Sequence, residues 1–143
     1  MTLVWSIDPE KRLMTAEADG EVTRADMDGY LDAMAAGGAM AFRKLFDGSR
    51  GETAMTGEDM LALGVRIRGY QESQGEMGPL AIVLALDKME LVRRVVGMLA
   101  IADRPMKVFT SLSEARRWID ELKAPPPPRK KSARKPGRPP RKA

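Results

Sequence analysis

The sequence contains neither cysteine nor histidine. Without cysteine, disulfides and thiolate metal sites are excluded. Without imidazole, the chain lacks the commonest general base and the commonest metal ligand. Only carboxylates, lysines and hydroxyls are left for chemistry, so the expectation is of no enzyme, no catalytic residue, no metal site and no cofactor. Long apolar runs are missing too. The longest, residues 79–86 and 95–102, fall far short of the roughly 20 residues that cross a bilayer. The opening MTLVWSIDPEKRL meets charge at Asp8 and has no stretch of signal-peptide length. These absences predict a soluble, cytoplasmic chain with no transmembrane segment.

What is present divides into two parts. The chain has 143 residues, 43% of them apolar and 31% charged, enough for one domain with one core. Its net charge of +4 conceals an asymmetry. Residues 124–143 hold eight of the 24 Lys and Arg residues and none of the 20 Asp and Glu, so residues 1–123 set 16 bases against 20 acids, a net −4. An acidic body over residues 1–123 and a basic arm over residues 124–143 are thus expected. The arm, APPPPRKKSARKPGRPPRKA, has no large apolar side chain with which to offset the entropy of ordering, and reads as disordered.

Within the body, Leu3, Trp5 and Ile7 alternate with Val4 and Ser6 as in a half-buried strand. Asp8-Pro9-Glu10-Lys11 forms a turn, and residues 12–22 return as a second strand, broken near Gly20. From Thr23 the period becomes helical, with Met27, Tyr30, Leu31 and Met34 on one face and Gly37-Gly38 as the stop. Residues 42–47 read as a short strand followed by a loop over residues 48–53. Thr56 opens a second helix bearing Met60, Leu63, Ile67 and Tyr70. The run PLAIVLAL, residues 79–86, is typical of a strand buried on both faces. A third helix follows from about Lys88, with Leu91, Val92, Val95, Val96 and Leu99 as its stripe. Residues 106–109 form another strand, and Ser113 caps a last helix with Ala115, Trp118, Ile119 and Leu122. The order β-β-α-β-α-β-α-β-α predicts an α/β fold: a mixed, mostly parallel sheet opened by an antiparallel hairpin, with helices packed on it.

That order, with LVRRVVGMLAI from Leu91, Met106-Lys107-Val108-Phe109 and SEARRWI from Ser113, resembles STAS-like domains. These have the sulfate-transporter and anti-sigma-factor-antagonist fold, and the likeness is to their small stand-alone SpoIIAA-like bacterial branch. It covers residues 3–122. The resemblance implies a non-enzymatic regulatory module that docks a protein partner. It also implies a phosphoacceptor where a strand ending in Asp leads through a loop to a helix starting with Ser or Thr. The matching positions are Asp47 and Thr56. Where the family has an Asp-Ser-Ser-Gly-like sequence, this chain has Ala54-Met55-Thr56-Gly57. The missing acid and hydroxyl argue against switching by a cognate kinase.

A plain N-cap, with Asp59 as its box partner, accounts for every residue type seen at Thr56 and is the favoured reading there. A phosphate there would be favoured by the helix N-terminus. Asp47, Ser49 and Thr53 sit at the end of a central strand, where open α/β sheets take ligands, but no phosphate-binding glycine motif accompanies them. Asp26, Asp28 and Asp32 on the first helix read as a solvated face rather than a cation site. The 11 methionines read as core filling rather than an adaptable surface. In the arm, Arg134, Lys135, Gly137, Arg138, Pro139, Arg141 and Lys142 resemble an AT-hook. In that minor-groove motif Gly-Arg-Pro lies along the groove floor and flanking bases meet phosphates; here Pro136 replaces the first arginine. Three functions remain open on sequence grounds: a protein-interaction module, a protein tethered to nonspecific or AT-rich DNA by its arm, and a small-molecule or lipid carrier.

Overall fold

Alternating apolar side chains start a strand, and a bonded Asp turns it. In the computed structural model, which describes residues 2–88, 90, 91, 93, 94, 97 and 104–122, β1 (Leu3–Asp8) pairs antiparallel with β2 (Leu13–Glu21), from Leu3 opposite Ala18 to Asp8 opposite Leu13. The Asp8 carboxylate accepts the backbone N–H groups of Glu10 and Lys11 and closes the turn. Helix α1 (Arg24–Ala36) begins at Thr23, whose side chain and that of Asp26 form a reciprocal capping box. It ends at Gly37, whose N–H donates to the Ala33 carbonyl. Then come β3 (Arg43–Glu52), α2 (Gly57–Gln74), β4 (Leu80–Val83), β5 (Met106–Phe109) and α3 (Leu112–Glu121).

The sheet runs β1-β2-β3-β4-β5, and every pair after the first is parallel. This is the mixed, mostly parallel sheet with one antiparallel hairpin that the sequence predicts. Crossovers of one hand, all stepping in one direction, place their helices on one face. Accordingly α1 and α2 share a core with Leu3, Met14, Ala16, Ala18, Leu80 and Ile82. The opposite face, with Leu13, Leu45, Ala81, Val83 and Phe109, is covered by Ala115 and Ile119 of α3. Each fully buried Leu, Ile or Met contributes about 1.5–3 kcal/mol.

The body is thus two apolar layers on one sheet, held together at the α3 end by Arg43. Arg43 is 7% exposed, and its guanidinium donates to the carbonyls of Ile119 and Leu122 at 3.0 Å each and of Lys11 at 2.7 Å. A cation at the carbonyl end of a helix is well placed for the helix dipole.

Several expectations are corrected. Residues 48–52 are not a loop after a short strand, and only Thr53 of the expected loop lies outside it: β3 continues to Glu52, because β2 also continues through Gly20 to Glu21 and offers it a partner. The register shifts between Glu17 and Asp19. Gly51 lets the strands close up there, since a Cβ on it would lie 2.8 Å from that of Ala18. The buried strand expected over residues 79–86 is shorter, Leu80–Val83, though all four of its residues are buried as predicted. The last helix is capped by Ser111, whose hydroxyl accepts from the N–H of Glu114, and Ser113 lies inside it.

Between β4 and β5, Glu90, Leu91, Arg93, Arg94 and Gly97 are helical, where the third helix is expected. Val92, Val95, Val96 and Leu99 lie outside the described residues. So does the whole basic arm, including Arg134, Lys135, Gly137, Arg138, Pro139, Arg141 and Lys142.

Candidate functional site

Asp47 and Ser49 come together. The Asp47 carboxylate accepts the Ser49 hydroxyl at 2.7 Å and its N–H at 3.0 Å, a local turn at the irregular point of β3. Asp47 lines a shallow hollow with Val4, Thr15, Glu17, Leu112 and Arg116. That hollow is on the α3 side of the sheet. Next to it, Arg50 bridges Glu17 and Asp19 at 3.1 Å each. These bonds account for the polar groups of β3 as parts of the strand pairing.

Thr56 is elsewhere. It begins α2, on the face of the sheet away from α3, and the sequence-predicted residues Asp47, Ser49 and Thr56 therefore do not form one patch. Thr56 is an exposed N-cap: its hydroxyl accepts the Asp59 N–H at 3.1 Å, and Asp59 accepts the Thr56 N–H at 3.0 Å. These bonds hold the Asp59 carboxyl below the usual carboxylate range, the backbone N–H of Thr56 contributing most. The segment leading to Thr56 is pinned by Thr53, which donates to the Val22 carbonyl at 2.7 Å and accepts from the Met55 N–H at 3.1 Å. Arg94 donates to the Met55 carbonyl at 2.6 Å.

Sequence reasoning missed the outer face of the helix that Thr56 caps. Leu61 and Val65, one turn apart on α2, are each 63% exposed. Both lie off the buried stripe of Met60, Leu63 and Ile67, and their apolar character at off-stripe positions is the signal that could have found them. These two exposed aliphatics make a small apolar spot on the outer face of α2, flanked by the exposed Glu58 and Arg68.

Sequence reasoning also missed the interior. A cavity of about 110 Å³ lies between the sheet and α1 and α2, lined mainly by apolar side chains. Gly48, Thr53 and Met55 border it at the C-terminal end of β3, Lys44 and Arg104 near the strands' N-terminal ends. Lys44 is 1% exposed. Its ammonium donates to the Met40 carbonyl at 2.6 Å and the Phe42 carbonyl at 2.7 Å. Burial, and then the neighbouring Arg104 charge, push its pKa well below the ordinary lysine value. Arg104 donates through Nη1 to the Gly78 carbonyl at 3.3 Å, while its buried Nε has no partner among the described residues. Tyr30 sits edge-on to Trp5 and Phe46, and burial pushes its hydroxyl up to about 12.

The carboxylates of α1 are matched by cations and hydroxyls. Asp26 belongs to its capping box and accepts Thr2 at 3.2 Å. Asp28 faces Arg24 and Arg66, and Asp32 accepts Arg66 and Tyr70 of α2. They tie α1 to α2. Among the described residues no helix is long and apolar enough to cross a membrane.

No family model matches the sequence, and no curated protein matches it significantly. A solved structure of an uncharacterized protein of the DUF3478 family from Shewanella loihica PV-4, described as having a SpoIIAA-like fold, superimposes with a TM-score of 0.55. The match covers 82% of this chain and 93% of that one at 18% identity. At that identity the likeness is one of fold alone, and the fold is SpoIIAA-like, as the resemblance over residues 3–122 implies.

Proposed function

We propose that this chain is a non-catalytic, STAS-type regulatory module that docks a protein partner against the outer face of α2, beginning at Thr56. The observation carrying this reading is the pair of exposed aliphatics, Leu61 and Val65, behind an exposed N-cap. Leaving such side chains in water gives up burial worth about 1.5–3 kcal/mol each, and a partner surface recovers it. The absence of histidine and cysteine from the sequence and the use of Asp47 and Ser49 in strand geometry both support a binding role over a catalytic one. A phosphoryl group on Thr56 would stand beside Glu58 and Asp59 as well as the helix N-terminus, so repulsion opposes the dipole. Docking without that modification is the simpler reading.

Affinity capture followed by reconstitution from purified components tests it. Leu61→Asp with Val65→Asp is expected to weaken a defined partner at least tenfold. Folding stability should change by no more than about 0.5 kcal/mol, as for surface positions generally. Equal retention of the same partner by both proteins overturns the reading.

A further inference from the structure

We propose that the cavity under α1 and α2 is a binding site for an amphipathic carboxylate, with its headgroup between Lys44 and Arg104 and its apolar chain directed toward Thr53 and Met55. This goes beyond partner docking and rests on different atoms.

Lys44 and Arg104 both border the same cavity; Glu52 borders it too, at the other end of β3, and no carboxylate among the described residues bonds to either cation. Burying a cation costs several kcal/mol unless it is paired and hydrogen-bonded. Lys44 has two backbone carbonyls and Arg104 one, which offsets part of that cost. Arg104 keeps its buried Nε–H without a partner among the described residues. A carboxylate supplies what is missing: one negative charge beside the partly buried Arg104 and the buried Lys44, whose charged form it favours, and planar acceptor oxygens suited to a guanidinium edge. A phosphate dianion brings more oxygens than these donors satisfy and a larger desolvation cost.

The walls select the rest of the ligand. Apart from the cationic end, the lining is mostly apolar and includes Met27, Met34, Met60 and Met77. Methionine side chains repack readily around a chain of uncertain shape. The volume, about 110 Å³, is of the order of the apolar cavity of about 150 Å³ that accepts benzene. A segment of about six carbons therefore fits, and because the cavity is open to one side a longer chain can continue past Thr53 and Met55.

Titration calorimetry of the full chain with octanoate and with 1-octanol at neutral pH tests the site, together with the methyl resonances of Met34 and Met77. Octanoate is expected to bind at one site, at least tenfold more tightly than octanol, and to shift both methyl signals. Lys44→Met should weaken octanoate at least tenfold and leave octanol within about twofold; Arg104→Met should act in the same direction. Equal affinity for octanoate and octanol overturns the proposal, because the cations then recognise nothing. Octanoate binding that leaves Met34 and Met77 unmoved also overturns it, because the anion then sits on the basic arm. If either variant fails to fold, the comparison of octanoate with octanol and the methyl shifts of the unaltered protein still decide.

Discussion

Lys44 and Tyr30 give the interior opposite responses to alkali. Burial lowers the folded pKa of Lys44 well below 10.5, so between that value and 10.5 the unfolded chain binds a proton that the folded chain does not. Stability therefore rises with pH across this window. Burial raises Tyr30 from 10.0 to about 12, so its contribution is complete below pH 10 and is lost as pH climbs toward 12. Urea unfolding from pH 7 to 12 is expected to show midpoints that climb toward pH 10 and then fall. In Lys44→Met the climb should disappear while the fall persists. Midpoints in the unaltered protein that stay level from pH 7 to 10 and only then fall would show that Lys44 keeps an ordinary pKa. Lys44 was also the residue least legible in advance. Arg43-Lys44 precede Leu45-Phe46 in a central strand, and strand alternation sends one base to each face. That two adjacent bases are both buried follows only once α3 covers one face and α1 and α2 the other.

Capping chemistry made the helices legible, and strand extent was harder to read. Thr23 with Asp26 and Thr56 with Asp59 fix two helix starts in the sequence, and both form reciprocal boxes. Replacing Thr56 by Ala should cost about 1 kcal/mol, read as a lower unfolding midpoint. Gly48-Ser49-Arg50-Gly51 carries every mark of a loop, yet it is strand. The Asp47–Ser49 bonds absorb an irregularity, and ion pairs from Arg50 to Glu17 and Asp19 span the strands. Local composition does not reveal that β2 has nine residues to offer as a template. The attachment of α3 was likewise unreadable, because Arg43 and its acceptors at Ile119 and Leu122 are 76 and 79 positions apart. Arg43→Leu is expected to destabilise by about 2–4 kcal/mol, since it leaves buried carbonyls without their charged donor. Proteolysis within residues 112–122 should accelerate before the rest of the body is cut.

For the molecule as a whole, fold class followed from the order of periods in the sequence, whereas the candidate surfaces depended on which face each helix takes. Asp47 and Thr56 are close in sequence but belong to opposite sides of one sheet, so a patch drawn from sequence proximity divides in two. The basic residues 124–143 are a separate matter, and for them, rather than for the acidic body, we propose contact with duplex DNA. If all eight bases of that segment meet phosphates, the logarithm of affinity should fall against that of salt with a slope of about −7. Fluorescence anisotropy with AT-rich and GC-rich duplexes measures it. Replacing Arg134, Lys135, Arg138, Arg141 and Lys142 by Ser should reduce the slope to about −3. A slope unchanged by those replacements would move the contact onto the body.

The strand order β1-β2-β3-β4-β5 has a consequence for synthesis. Each strand joins the edge left by the one made just before it, so no later strand has to be inserted between two earlier ones. The sheet can therefore grow vectorially as the chain leaves the ribosome, starting from a local hairpin and adding one helix-linked strand at a time. Each edge waits in turn, and that of β4 stays unpaired until β5 has followed it out. During that interval the apolar run Leu80–Val83, buried in the folded protein, offers an edge on which a chaperone would act.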